Sequence, residues 1–202
     1  MFWRIEVRDK HGIFDAVGEG VKNDIFDLGI DTVSKVNFIQ VYNLEGDLGE
    51  AEIKRICEEL LIDKITQEYF INRPTGQPAN RPTEFVIEVA YNPGVMDPVE
   101  DSVKKAISDL GISGVRSIHT AKKYVIHGKV SIAQIKNICD KLLVNKVIQH
   151  VVSSSFVHRP CLAGRQASSI ENIDYKFKLV TVDLLGVSDK KLQKISRDGQ
   201  LF

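Results

Sequence analysis

The residues able to do chemistry are few: three cysteines and five histidines in 202 residues. Cys57 and Cys139 sit in apolar helical patterns, Ile53, Ile56, Leu60 and Leu61 around the first and Ile135, Ile138, Leu142 and Leu143 around the second. A thiol nucleophile must be exposed, ionised and beside a base, so both read as core side chains. Cys161 lies in His158-Arg159-Pro160-Cys161-Leu162-Ala163-Gly164-Arg165, a more chemical-looking segment. A histidine and a cysteine three apart supply two ligands where a structural zinc site takes four, so the segment reads as a linker that docks on another domain. His11, His119, His127 and His150 are scattered and read as surface or turn residues. No catalytic, cofactor-binding or metal-ligating residues are expected on this segment.

Motifs that carry chemistry through a fixed backbone shape are also missing. There is no Gly-x-x-x-x-Gly-Lys-Ser/Thr phosphate loop, no Gly-x-Gly-x-x-Gly after a strand and no Gly-x-Ser-x-Gly elbow. Pro93-Gly94 and His11-Gly12 could offer backbone amides to a phosphate, but a strand-to-helix turn explains them. Lys122-Lys123-Tyr124 could be a basic, aromatic nucleic-acid strand, yet 27 basic residues balance 27 acidic ones and no RNA-binding consensus strand is present. That stretch reads as a solvated face, and no nucleic acid is expected as a partner. Phe2, Trp3 and Phe14 read as core rather than as an exposed contact surface. No apolar run approaches the roughly 20 residues of a membrane span, and the alternating Met1-Phe2-Trp3-Arg4-Ile5-Glu6 is no signal-peptide core. With cysteines too sparse for a disulfide framework, the expected setting is cytoplasmic, away from a membrane.

The elements that position these residues come twice. Every residue from Ile5 to Gln67 aligns without a gap with the residue 82 positions later, giving 25 identities in 63 pairs. Ordinary composition would give roughly one in sixteen. Glu6/Glu88, Asp15/Asp97, Lys22/Lys104, Tyr42/Tyr124, Cys57/Cys139 and Gln67/Gln149 are among the identities. Two fused copies of a small domain, standing in for a homodimer, is the natural reading.

Within each copy the hydrophobic period alternates between strand and helix. Trp3, Ile5 and Val7 alternate with charged residues, and Phe85, Ile87 and Val89 repeat their spacing, with Val86 and Glu88 between them. From Asp15 to Gly29, Val17, Val21, Ile25 and Leu28 mark one helical face, with Asp15 as cap and Gly29 as stop, though Gly18 and Gly20 should interrupt it. Asp97, Val99, Val103, Ile107, Leu110 and Gly111 match. Two short β-rich runs follow, Thr32 to Asn37 and Ile39 to Leu44, with counterparts Gly114 to His119 and Ala121 to Ile126. A second amphipathic helix carries each cysteine, and last strands are expected over Ile65 to Ile71 and Val147 to Val152. The order predicts an α+β fold: two tandem ferredoxin-like (β-α-β-β-α-β) repeats packed as a pseudo-dimer within the chain. The expected divisions are repeat 1 over 1–72, a Pro-rich linker over 73–83, repeat 2 over 84–152 and a linker over 153–202. That last segment should be loop-like over Ser153 to Ser169, β-rich over Tyr175 to Val182 and helical from Ser188 to Ile195.

Tyr91-Asn92-Pro93-Gly94-Val95-Met96-Asp97-Pro98, Leu110-Gly111, Gly114-Val115 and Cys139-Asp140-Lys141-Leu142-Leu143-Val144-Asn145-Lys146-Val147-Ile148 resemble the PurS family. PurS is the small accessory subunit of formylglycinamidine ribonucleotide (FGAM) synthase, an ATP- and glutamine-dependent ligase of purine biosynthesis. The stretch from Leu184 to Phe202 is similar to the start of the synthetase chain, PurL, where a helical linker leads to the catalytic domains. The resemblance implies an accessory, interface module, PurS fused to PurL, with a glutaminase and a synthetase domain or subunit as partners. It implies a part in the protected transfer of ammonia, with ATP and Mg expected in the synthetase part. A regulatory module binding a small metabolite between the repeats is the alternative.

Overall fold

The computed structural model describes residues 1–72 and 84–157, with Ser188 and residues 191–194; over 153–157 it describes the backbone only. The Pro-rich linker, Cys161 and the β-rich run from Tyr175 lie outside the described residues. Repeat 1 contributes strands β1 (Phe2–Asp9), β2 (Val33–Gly46) and β3 (Gln67–Ile71) and helices α1 (Ala16–Asp27) and α2 (Glu50–Ile56). Repeat 2 contributes β4 (Glu84–Tyr91), β5 (Val115–Gly128), β6 (Gln149–Val157), α3 (Pro98–Asp109) and α4 (Ile132–Ile138). Both α2 and α4 end in a π-turn, over Cys57–Leu61 and Cys139–Leu143. Residues 191–194 are helical, with the Ser188 carbonyl accepting from the Lys191 and Leu192 amides, where the sequence predicts the start of a capped helix.

The six strands form one antiparallel sheet in the order β3-β1-β2-β5-β4-β6. The β-α-β-β-α-β order holds, with the two middle runs of each repeat joined end to end in one 14-residue strand. Phe38 and Thr120 at the joins bring no glycine or proline to turn the chain, so each strand runs on and pairs with its counterpart along its length. Gln40 pairs with Lys122, its own equivalent in the other repeat, so the pseudo-two-fold axis passes through that pair. The second copy thus extends the sheet at its edge instead of covering its open face.

Long central strands exchange the first helices between the repeats. One core joins Ile25, Ile30 and Val36 of repeat 1 to Phe85, Ile87, Ile126, Ile135 and Ile138 of repeat 2. The other joins Ile5, Leu44, Ile53 and Ile56 of repeat 1 to Val103, Ile107 and Ile118 of repeat 2. Each core therefore takes its first helix from one copy and its second helix from the other.

The caps follow the sequence. Asp15 accepts from the Gly18 amide and Asp97 from the Val99 amide, while Gly29 and Gly111, at φ +80° and +75°, end the helices. Three expectations change. α1 continues through Gly18 and Gly20, because at Gly18 a Cβ would stand 2.3 Å from the Val36 carbonyl oxygen and only glycine lets α1 rest on β2. β6 runs on through Ser153–Ser155 to Val157, since its bonds to β4 are backbone bonds and a register shift at Glu88/Val89 absorbs the irregularity. Val17, on the predicted helix face, is 48% exposed.

Glycine substitutions test this packing by urea denaturation. Gly18→Ala is expected to lower stability by about 2 kcal/mol despite alanine's better helix propensity. Gly20→Ala, with nothing within 4 Å of its Cβ, is expected to raise it by up to about 1 kcal/mol.

Candidate interaction surfaces

Glu6 and Glu88 occupy equivalent positions and alternate with core residues Ile5, Val7, Ile87 and Val89, so they project from the face away from the helices. Both are buried, at 3% and 2% exposure. Arg4 donates to Glu88 through Nη1 and Nη2, at 3.0 and 2.8 Å, and to Glu6 through Nε and Nη2, at 3.2 and 3.0 Å. Lys123 donates to both oxygens of Glu6, at 2.9 and 3.1 Å. Two cations thus balance two carboxylates. In a flat sheet β1 and β4, three strands apart, would be about 14 Å from each other. The Arg4–Glu88 pair crosses that distance by the length of its two side chains, on the face that also carries the small apolar cluster of Ile39, Val41 and Ala121.

Symmetry makes the cluster instructive. The equivalent of Arg4 is Val86 and that of Lys123 is Val41, so each repeat supplies one cation to a symmetric pair of carboxylates. Burial alone would lower the Arg4 pKa, but Glu88 and Glu6 outweigh it and hold the guanidinium above its ordinary value. Burial alone would raise the Glu6 pKa, but Lys123 and Arg4 outweigh it and hold the carboxylate below its ordinary 4.5. Lys123 and Tyr124 are therefore no solvated face: Lys123 is ion-paired and Tyr124 is buried, with Lys122 alone of the three exposed.

The histidines divide. His11 and His119 are exposed. His127 is half-buried, its Nδ1 3.1 Å from Glu84 Oε1 and its Nε2 3.0 Å from Asn37 Oδ1. His150 Nδ1 lies 3.1 Å from Asn92 Oδ1. Periodicity could not show these two partnerships, because each joins strands or turns far apart in sequence. Cys57 is buried as predicted and Cys139 is half-buried, packed against the core; burial, then Glu58, pushes the Cys57 thiol up to about 12, and burial, then Asp140, pushes Cys139 to about 11. Among the described residues, no group of three or more His, Cys, Asp or Glu could hold a metal ion.

Large apolar side chains stay exposed at equivalent positions. Phe14 and Met96 are 73% and 75% exposed, Val17 and Val99 48% and 42%, and Ile65 and Val147 82% and 62%. Hydrogen bonds bring each set together. Lys10 Nζ donates to the Lys64 and Ile65 carbonyls, and Asn92 Nδ2 donates to the Val147 carbonyl, so each strand-to-helix turn adjoins the turn before β3 or β6. Phe2, at 62% exposure, and Phe14 are therefore surface residues, whereas Trp3 packs against the core and donates from Nε1 to the Leu48 carbonyl. The sequence treats an aromatic at a turn as core because its period does not report which end of the sheet that turn faces.

The family model for PurS, described as phosphoribosylformylglycinamidine (FGAM) synthase, matches residues 3–74 and again residues 84–154. No curated protein matches the chain.

Two measurements test the buried groups. Glu6→Gln strands Lys123 and half of the Arg4 guanidinium and is expected to cost about 3 kcal/mol at pH 7. Because the Glu6 pKa is lowered on folding, its contribution is complete above the ordinary value of 4.5 and is lost as pH falls through the lower folded value. Wild-type urea midpoints should therefore drop below about pH 4.5 more steeply than those of Glu6→Gln. Cys57 and Cys139 should resist a thiol reagent at pH 8 in the native chain and label on unfolding, as read by peptide mass mapping.

Proposed function

The chain belongs to the PurS family of FGAM synthase, and from that premise we propose that it is a non-catalytic interface module of that enzyme in purine biosynthesis. It bridges the glutaminase and the synthetase and supports ammonia transfer between them. The observation that carries this reading is the pair of apolar patches, Phe14, Val17 and Ile65 in one repeat and Met96, Val99 and Val147 in the other. Exposed apolar residues that recur at the same positions of two diverged copies fit docking surfaces better than scattered surface hydrophobes. Two patches related by a pseudo-two-fold axis give one rigid chain two points of attachment, and divergence between the copies lets each take a different partner.

The mechanistic contribution is positional. Ammonia released by a glutaminase protonates in bulk water and ceases to be a nucleophile, so the two active centres must be held in a fixed relation that excludes solvent. A sheet continuous across both repeats, locked by a buried ionic cluster, is a stiff spacer for that task. The raised pKa values of the buried Cys57 and half-buried Cys139 thiols fit the same division of labour, in which glutamine hydrolysis takes place on the partner. Among the described residues no helix is long and apolar enough to cross a membrane.

The test is retention of purified glutaminase and synthetase on the immobilised chain. Phe14→Asp and Met96→Asp are each expected to weaken one partner by about tenfold or more while leaving the other in place. Retention of both partners at wild-type strength by both variants would remove the patches from the interface.

A further inference from the structure

Repeat 2 contains a cleft of about 400 Å³ between the strand-to-helix turn and β5, lined by Pro93, Gly94, Asp97, Glu100, His119 and Thr120 among others. The duplication explains its origin. In repeat 1 the position of Glu100 is Gly18, where the Val36 carbonyl oxygen would stand 2.3 Å from a Cβ, so α1 lies directly on β2. Asp15 there accepts straight from the Phe38 backbone amide at 2.7 Å. In repeat 2 Glu100 stands at the position of Gly18, and Asp97 makes the link to β5 through the Thr120 hydroxyl, at 2.5 Å. Thr120 also replaces the bulk of Phe38. Gly18 against Glu100 and Phe38 against Thr120 are therefore the differences that distinguish this site from its counterpart in repeat 1.

We infer that this cleft receives a basic side chain, an arginine or lysine on its aliphatic stem, from a protein partner. The end of α3 is already satisfied, because Asp97 accepts from the Val99 and Glu100 amides and the Thr120 hydroxyl. What the cleft offers a ligand is the Glu100 carboxylate, only 26% exposed and 3.5 Å from His119 Nδ1. Among the described residues, no lysine or arginine lines it. Met96 and Val99, exposed and next in sequence to the lining residues Val95, Asp97 and Glu100, offer apolar surface to the stem of such a side chain, which buries its methylenes and extends its charge. An acid at the wall and apolar surface at the lip match a guanidinium or ammonium group carried by a chain with apolar flanks. This inference rests on the docking role proposed above for its choice of a protein as the partner, and it concerns repeat 2 alone.

The experiment is a backbone-amide NMR titration of the 202-residue chain with small probes, which needs neither glutaminase nor synthetase. Acetyl-Leu-Arg-Leu-amide is expected to shift amides of residues 92–100 and 119–120 saturably, with Kd about millimolar, and butylguanidinium the same amides more weakly. Neutral butylurea should leave them in place, as should all probes the amides of residues 10–18 and 37–38. Glu100→Gln should weaken the peptide about tenfold, and Thr120→Phe, restoring the residue of repeat 1, should abolish its shifts. Equal shifts with butylurea, or a Glu100→Gln chain that binds as well as wild type, would overturn the assignment. Free arginine binding as tightly as the peptide would mark a metabolite site and overturn the protein-partner reading, while leaving the pull-down test of bridging untouched.

Discussion

The constraint on which the structure depends is the pairing of β2 with β5. Two 14-residue strands run antiparallel from Val33 opposite Gly128 to Gly46 opposite Val115, and their register sets Gln40 against its own equivalent, Lys122. A slip of one residue would turn Val36, Leu44, Ile118 and Ile126 away from the helices and bring Lys123 and His127 towards them, so the hydrophobic pattern admits a single register. Everything else is placed by that register. β1 and β4 flank the central pair, α1 and α3 cross to the far core, and Glu6 and Glu88 meet near the axis with Arg4 and Lys123. Because both cores are composite, neither repeat holds a complete core of its own.

The chain has kept some equivalent positions and reassigned others in a way that follows mechanical need. Core positions on the exchanged helices are unchanged, as in Val21/Val103 and Ile25/Ile107. Where a task can be done by different chemistry, it is. Lys10 holds the turn before β3 with its ammonium group and Asn92 holds the turn before β6 with its amide, each donating to a main-chain carbonyl at the same place. The ionic cluster shows the same freedom, with arginine entering from β1 in one copy and lysine from β5 in the other. A buried carboxylate requires a cation and hydrogen bonds, but it does not specify which strand delivers them.

This division also explains what could be read from the sequence. The helices, their Asp15 and Asp97 caps, their glycine stops and the buried Cys57 are written in local period and cap chemistry, and the structure has them where the residues indicate. Pairing partners are a different matter. Arg4, Glu6, Glu88 and Lys123 alternate with apolar residues and look like a solvated strand face, because alternation reports the side of a sheet and not its curvature. The joined middle strands, the exchanged helices and the serine-containing end of β6 were missed for the same reason: each is decided by a neighbour far along the chain. The cleft was missed because Gly18/Glu100 and Phe38/Thr120 are informative only as a pair, once α1 and β2 are known to touch.

Fusion of two copies bears directly on that cleft. In a homodimer of identical chains, replacing Phe38 by threonine and Gly18 by glutamate would act at both ends of the sheet, loosening both first helices and opening two acidic clefts. In a single chain the substitutions fall in one repeat, and the other keeps α1 seated on β2 through Gly18 and the direct bond from the Phe38 amide to Asp15. The stiff half anchors the register that the open half relies on, because Ile25, Ile30, Val33 and Val36 of repeat 1 complete the core beneath β4 and α4 of repeat 2. Asymmetry at one end is therefore compatible with stability only because the cores are shared. The exchange of helices that joins the repeats is also what lets the two differ at this site.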